Sequence, residues 1–289
     1  MKTYPARSPR KIAFILVSLL LLITVVMLSV FITHKPNVIW KIIASVNLQL
    51  PPIPTTAERF DTLPPGAKLP SESECAARVR RYAWEPRPDN AAANHRVPTA
   101  QQISQLANWG SAIGVDLRAD TLRGQITGNF TGTTDEIIQW VACKWGIDED
   151  IVRAEAVAES YWHQSQLGDW TTDQSLCPPG TWDGSGCYQS YGILQVKYID
   201  NKTAWPMSRD DTAFNAEYVY GMIRTCFEGW TTYLSEGTPV AGYPRYHAGD
   251  LWGCLGRWYS GWWYTQGAID YINSVKAHLA NEEWRQAGF

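Results

Sequence analysis

The clearest candidates for chemistry in this chain are two glutamates, Glu155 and Glu159, in the Ala-rich stretch IVRAEAVAES. We expect residues 149–161 to form a helix, and a spacing of four residues places both carboxylates on one face. Burial on such a helix disfavours the ionised carboxylate and raises its pKa. A general acid that protonates a glycosidic oxygen must keep its proton near neutral pH, so either glutamate fits that role. The alternative is that either one pairs with Arg153 or another cation on a solvated edge.

Two predicted helices position these carboxylates. Thr133 and Glu136 form a capping-box pattern, after which apolar residues recur at helical spacing as far as Gly146. Asp148 can cap the next helix, and the two acidic residues that follow it favour a helix start. The candidate carboxylates then fall in the later turns of a mostly buried helix.

The remaining pattern predicts a mainly α fold with a small β element. Further helices are expected at about 99–109, 212–234 and 267–285. Residues 121–131 contain strand-like stretches and glycines, which indicate one short hairpin. Residues 163–190 show no regular pattern, and a loop this long in a compact domain is usually functional or disordered.

The N-terminal part of the chain carries a membrane signal. Residues 12–32 form a run of 21 residues without a charge, long enough to span a bilayer. Four basic residues precede the run, so the positive-inside rule predicts a cytoplasmic N-terminus and an extracytoplasmic remainder at the cell membrane. A cleaved signal peptide is the alternative, with a weak site near Ala44.

Composition after the membrane run suggests three further segments. Six prolines between residues 51 and 70 exclude long helices and predict an extended spacer. The predicted organisation is a basic tail at 1–11, an anchor at 12–32, a spacer at 33–74, an N-terminal extension at 75–132 and a catalytic domain at 133–289.

The chain has six cysteines, and all of them follow the membrane run. An even number in an oxidising compartment predicts disulfides. The predicted pairs are Cys177–Cys187, Cys226–Cys254 and Cys75–Cys143. No C-x-x-C pair or suitably spaced histidine accompanies them, so neither a metal nor another cofactor is expected.

Aromatic composition favours a carbohydrate partner. The chain has 15 Trp and 14 Tyr but only 7 Phe, and Trp and Tyr combine an apolar face with a polar edge. Rings of this kind can stack on sugars, and the stacking candidates are Trp162, Trp170 and Trp182. An aromatic-rich core is the alternative reading. The net charge of -3 provides no basic stripe, which argues against a nucleic-acid partner.

From Glu159 onward the sequence resembles the transglycosylase SLT domain, a family shared with goose-type lysozymes. AVAESYW at 156–162 is similar to the Glu-Ser pair that ends a buried helix in that family. GILQV at 192–196 is similar to its later Gly-apolar-apolar-Gln-apolar motif, and Asn215 matches an Asn near the start of a following helix. The resemblance covers about 150–280.

A last motif of this family, Tyr-x-x-Gly, could match at Tyr246 or at Tyr259, and Tyr259 fits better because Tyr271 and Val275 follow as a closing helix. Both stretches lack the family's Asn, and a Cys-bearing insert separates the first two motifs. The resemblance implies a lysozyme-like α+β fold.

The resemblance also favours Glu159 over Glu155 as the catalytic acid/base. It implies that Ser160 orients this acid and that substrate binding involves Gln195, Tyr259 and Asn215, with Trp162 added as a stacking residue.

The implied activity is a membrane-anchored lytic transglycosylase of peptidoglycan. Glu159 protonates the oxygen between N-acetylmuramic acid and N-acetylglucosamine, and the muramyl C6 hydroxyl then closes a 1,6-anhydro ring. A muramidase is the alternative, in which a second carboxylate activates water. Candidates for this carboxylate in the loop after Glu159 are Asp169, Asp173 and Asp183. A non-catalytic cell-wall-binding module is a further alternative.

Overall fold

The computed structural model describes residues 59–289, and this part of the chain is mainly helical. Its α-helices are α1 (Glu72–Arg78), α2 (Ala91–Asn94), α3 (Ala100–Ser104), α4 (Ala119–Arg123), α5 (Thr134–Trp145), α6 (Glu149–Ser160), α7 (Met207–Asp210), α8 (Thr212–Phe227), α9 (Leu251–Ser260) and α10 (Gln266–Asn281). A small antiparallel sheet of β1 (Leu167–Thr171), β2 (Cys187–Tyr191) and β3 (Val196–Lys197) completes the fold.

The expected cytoplasmic tail at 1–11, the membrane anchor at 12–32 and the first part of the spacer lie outside the described residues. Between residues 59 and 289, no helix has the length and apolar character needed to cross a bilayer.

The core forms where α5, α6, α8, α9 and α10 pack against one another. The predicted capping box begins α5: the Thr133 hydroxyl accepts from the Glu136 amide, and the Glu136 carboxylate accepts from the Thr133 amide. Gly146 ends this helix with a positive φ of 57°. All twelve residues of α5 are buried, so it is the central helix of the domain.

The hairpin predicted at 121–131 is wrong. Residues 119–123 form α4, and the following segment is irregular because its backbone amides bond to a side chain instead of a partner strand. Glu217 of α8 accepts hydrogen bonds from the amides of Thr127 and Gly128 at 3.1 and 2.6 Å. The hairpin lies instead at β1 and β2, within the segment that showed no regular pattern.

The predicted helices exist but are shorter than expected. The helix expected at 99–109 ends at Ser104, that expected at 212–234 ends at Phe227, and that expected at 267–285 ends at Asn281. Helix α9 was not predicted, because its sequence LWGCLGRWYS contains two glycines, which lower helix propensity. Its five large aromatic and apolar residues nevertheless recur at helical spacing.

Residues 59–74, the part of the predicted spacer that the structure describes, belong to the folded unit. Phe60 is buried, the Leu63 amide donates to the Gly146 carbonyl at 3.0 Å, and Arg59 pairs with Asp150 at 2.8 Å. The boundary predicted at residue 75 falls inside α1. The expected extension at 75–132 and the domain at 133–289 share one core.

All three predicted disulfides are confirmed. Cys75–Cys143 joins α1 to α5, Cys226–Cys254 joins α8 to α9, and Cys177–Cys187 closes the loop between β1 and β2.

A buried ion cluster joins α5 to α6. Arg153 is fully buried and donates to Asp135 at 2.7 Å and to Glu149 and Asp150 at 2.8 Å each. These partners occupy its guanidinium, so the alternative in which Arg153 pairs with Glu155 or Glu159 is excluded.

Replacing Arg153 with Met should destabilise the protein by about 3–5 kcal/mol, because Asp135 is then buried without its cation. Urea unfolding of the full chain measures this change. The control is Arg245→Met, since Arg245 is exposed and pairs with no carboxylate in residues 59–289. Equal stability of the two variants would contradict a structural role for the cluster.

Candidate active site

Glu159 lies in the last turn of α6, and the end of that helix is fixed by its backbone. Tyr161 and Trp162 both have positive φ, 54° and 68°, which ends the helix at Ser160. The indole of Trp162 donates to the Arg153 carbonyl at 3.0 Å, which anchors this reversal in the core.

The Glu159 side chain opens onto a cleft of about 1230 Å³, and it is the only residue of α6 that lines this cleft. One wall is the sheet, the floor is α8, and the C-terminal end of α9 forms a second wall. The rest of the cleft is lined by residues from the segments 107–115 and 199–203. The predicted extension therefore contributes part of the cleft.

Tyr271 of α10 holds the carboxyl of Glu159. Its hydroxyl donates to Glu159 Oε1 at 2.6 Å, and its ring stacks on Tyr259 with centroids 4.7 Å apart. Burial raises the pKa of Glu159 to about 7, the Tyr271 hydrogen bond opposes this shift, and the negative charge of Asp169 adds to it. A large fraction of Glu159 therefore keeps its proton at neutral pH.

Glu155 lies one turn behind Glu159 and does not reach the cleft. It is fully buried, with Oε1 3.2 Å from the Tyr271 hydroxyl and the Tyr220 hydroxyl beside it. Burial raises its pKa to about 8, with Tyr220 acting against this and the charge of Glu159 adding to it. Glu155 is thus a neutral carboxyl of the core, and its position rules out direct contact with a ligand in the cleft.

The turn Gly192–Gln195 between β2 and β3 is held by three buried polar side chains. Ser160 donates to the Ile193 carbonyl at 2.8 Å, Gln164 accepts from the Ile193 amide at 2.9 Å, and Asn215 accepts from the Leu194 amide at 3.0 Å. Gly192 has φ +87°, and a Cβ there would lie 2.2 Å from Asn215 Nδ2. The turn needs glycine at this position.

This network corrects two predicted roles. Ser160 and Asn215 are buried and do not line the cleft, so they hold the turn and were wrongly expected to reach a ligand there. Ser160 bonds to the Ile193 and Ala156 carbonyls and makes no hydrogen bond to Glu159.

Gln195 does line the cleft, at the end of the turn. Its side-chain amide donates to the Gly192 carbonyl at 2.8 Å, and its Oε1 lies against Gly168 of β1. A Cβ at Gly168 would come within 2.3 Å of that oxygen, so only glycine leaves room for the Gln195 side chain. Tyr259, also predicted, lines the cleft and is 61% exposed.

Trp162 was expected to stack on a sugar, but it is fully buried and cannot do so. Trp182 and Trp170 do not line the cleft either. Trp162 packs instead in the core at the end of α6, with its ring edge to face with those of Trp84 and Phe289.

Of the three aspartates considered as a second carboxylate, only Asp169 lines the cleft. Asp173 accepts from the Ser175 amide, and Asp183 accepts from the amides of Ser185 and Gly186, so both stabilise exposed turns. Partial burial would raise the pKa of Asp169, but hydrogen bonding to Ser190 and the charge of Lys197, 3.3 Å away, lower it below its usual value.

Several residues of the site had no predicted role. The sequence places Tyr271 only in the closing helix, and it indicates no function for Tyr220, Gln164 or Lys197. A Tyr on an apolar helix face is a common core residue, so nothing in the local sequence marks Tyr271 as a partner of Glu159.

No group of His, Cys, Asp or Glu side chains within residues 59–289 is arranged to hold a metal ion. Comparisons of the chain with protein families, curated proteins and solved structures find no match. The chemical interpretation of the cleft depends on the geometry of Glu159 and its neighbours.

Replacing Glu155 with Gln should remove a pH-dependent loss of stability. In the unfolded chain this carboxyl ionises near pH 4.5, whereas the folded protein keeps it protonated up to about pH 8. The contribution of protonated Glu155 to the free energy of unfolding is therefore complete below pH 4.5, and it is lost as pH rises from 4.5 to about 8. We expect Glu155→Gln to be more stable than the wild type by on the order of 4 kcal/mol at pH 8.

Urea unfolding of the full chain at pH 4 and pH 8 measures this difference. The two proteins should differ little at pH 4, where both side chains are neutral. A difference that does not change with pH would show that Glu155 is not a buried neutral carboxyl.

Proposed function

We propose that this chain is a lytic transglycosylase that cleaves the β-1,4 bond between N-acetylmuramic acid and N-acetylglucosamine in peptidoglycan, with Glu159 as acid and base. The observation that carries the proposal is a carboxyl with a pKa near 7 at the end of a buried helix, opening onto a large cleft. A general acid works best when its pKa lies near the working pH.

The reaction uses Glu159 twice. Its proton passes to the glycosidic oxygen as the bond from the muramyl C1 to that oxygen breaks. The Glu159 carboxylate then accepts the proton of the muramyl C6 hydroxyl, whose oxygen bonds to C1 and closes the 1,6-anhydro ring. The Tyr271 hydroxyl, 2.6 Å from Oε1, supports the carboxylate between these two steps.

The cleft has the surface that a sugar polymer requires. The exposed ring of Tyr259 and the half-buried ring of Trp258 line the cleft together with polar groups such as Gln195 and Arg257. Rings can stack on sugar faces while the polar groups bond to hydroxyls. Three disulfides agree with an oxidising compartment outside the cytoplasm, where the proposed anchor at 12–32 would hold the domain near the cell wall.

Replacing Glu159 with Gln should lower the rate of peptidoglycan cleavage by about 10²–10⁴-fold and leave binding to the wall intact, because the amide cannot donate an acidic proton. Release of soluble fragments from labelled peptidoglycan measures cleavage, and co-sedimentation measures binding. The exposed Glu236→Gln serves as the control. Cleavage by wild type should also fall as pH rises through about 7, when Glu159 loses its proton.

A non-catalytic wall-binding module is the competing outcome of this experiment. It requires that wild type and Glu159→Gln bind peptidoglycan equally and that neither releases fragments.

A peptidoglycan muramidase is a second candidate function, and Asp169 favours it. Asp169 lines the same cleft as Glu159, and its lowered pKa keeps it ionised while Glu159 is protonated. Two carboxyls with pKa values pushed apart are typical of an acid and base pair. In an inverting hydrolase the ionised partner activates water.

Mass spectrometry of the released fragments, combined with Asp169→Asn, separates the two functions. A transglycosylase yields anhydro ends and keeps at least about a tenth of its rate in the variant, since no water needs activation. A hydrolase yields reducing ends, and its rate falls by about 10²–10⁴-fold. In both cases the alkaline limb of the pH profile should move to lower pH, because the Asp169 charge raises the pKa of Glu159.

A further inference from the structure

The face of the sheet that lines the cleft continues beyond it. Lys197, Ser190 and Gly168 pair across the three strands and form one row of cleft residues. Tyr188 lies two residues from Ser190 on β2, so its side chain points to the same face as Ser190. Trp170 pairs with Tyr188 and its ring contacts the Tyr188 ring, so Trp170 lies on this face too, although Asp169 before it has a positive φ of 55°. This aromatic row lies about 7 Å along the strands from the cleft row.

Trp170 and Tyr188 are exposed even though both are large aromatic residues. Their exposed fractions are 48% and 38%, and their rings meet edge to face with centroids 4.9 Å apart. Neither the Trp170 indole nor the Tyr188 hydroxyl bonds to any residue between 59 and 289. The pair thus presents apolar ring surface together with polar edges that are available to a ligand.

The pair also has a rigid support. The Trp170 ring lies over Gly186, where a Cβ would come within 2.4 Å of the ring, so the tight contact requires glycine. The next residue, Cys187, is bonded to Cys177 and pairs directly with Thr171 of β1. Ordered rings lose little conformational entropy when they bind a ligand.

We propose that Trp170 and Tyr188 form a second saccharide site, which binds the glycan strand just outside the cleft. The proposal rests on the proposed function, since the occupant is the part of a glycan strand that leaves the cleft along the sheet. Because the same face of the sheet runs from the cleft to Trp170 and Tyr188, a glycan strand that leaves the cleft would reach this pair. This continuity favours a glycan strand over an unrelated ligand. Sugar rings stack through their CH faces, and their hydroxyls can bond to the free edges of Trp and Tyr.

The test uses the full chain carrying Glu159→Gln, so that the ligand is not consumed. Into this background we introduce Trp170→Ala, Tyr188→Ala and the conservative Trp170→Phe. The control is Tyr243→Ala, which removes a 41% exposed aromatic residue that stacks on Tyr264 and does not line the cleft. The probes are stem-free glycan strands of polymeric length and the single N-acetylglucosamine–N-acetylmuramic acid disaccharide.

We expect Trp170→Ala and Tyr188→Ala each to raise the Kd for long strands by about 3- to 10-fold, with Trp170→Phe restoring most of the affinity. Affinity for the disaccharide should not change, because the cleft holds it without the second site. The control variant should bind long strands as the parent does.

Unchanged affinity of both alanine variants for long strands overturns the proposal, as does an equal loss in Tyr243→Ala. An equal loss of disaccharide affinity would also overturn it, since the pair would then belong to the cleft. Failure of the proposed function would look different. In that case the wild-type protein, which retains Glu159, would not cleave peptidoglycan, even if long strands bind through Trp170. If the parent protein, which carries Glu159→Gln, does not bind long strands, both the second saccharide site and the proposed function are contradicted.

Discussion

The site depends on one carboxyl that is largely withdrawn from water at the edge of a cleft and is not paired with a cation. Glu159 lies in the last turn of α6, whose one cation, Arg153, is occupied by Asp135, Glu149 and Asp150. What faces Glu159 instead is a phenol, Tyr271. A hydroxyl can bond to both forms of a carboxyl, whereas a buried cation would hold it ionised. Because its neighbour is a phenol and not a cation, Glu159 can keep its proton near neutral pH.

The residues around Glu159 divide into those that shape the site and those that face the cleft. Three buried side chains bond to the turn that places Gln195: Ser160, Gln164 and Asn215. Without these partners, the buried polar groups would destabilise the folded protein. Short motifs near a catalytic group can therefore serve to hold a backbone in place. In this chain the cleft surface itself comes from α8, α9, the sheet and the segment at 107–115.

Local signals in the sequence predicted local features well. The capping box at Thr133, the mainly helical fold and the short Cys177–Cys187 bridge were predictable, because each depends on residue types at short spacing. The predicted pairs Cys75–Cys143 and Cys226–Cys254 are also present, but they join residues 68 and 28 positions apart, and no local signal fixes those pairings. The hairpin predicted at 121–131 failed since the carboxylate of Glu217, about ninety residues later, satisfies that backbone. Trp162 and Tyr271 could not be placed for the same reason: whether a ring is in the core or in the site depends on distant helices.

The most direct test of this account is the pKa of Glu159 itself. Side-chain ¹³C NMR of the full chain labelled at glutamate, titrated between pH 3 and pH 9 and assigned with Glu159→Gln and Glu155→Gln, measures it. The structure predicts a midpoint for Glu159 near 7. A midpoint near the ordinary value of 4.5 would show that the carboxyl is ionised at neutral pH and would contradict the proposal that Glu159 is the proton donor.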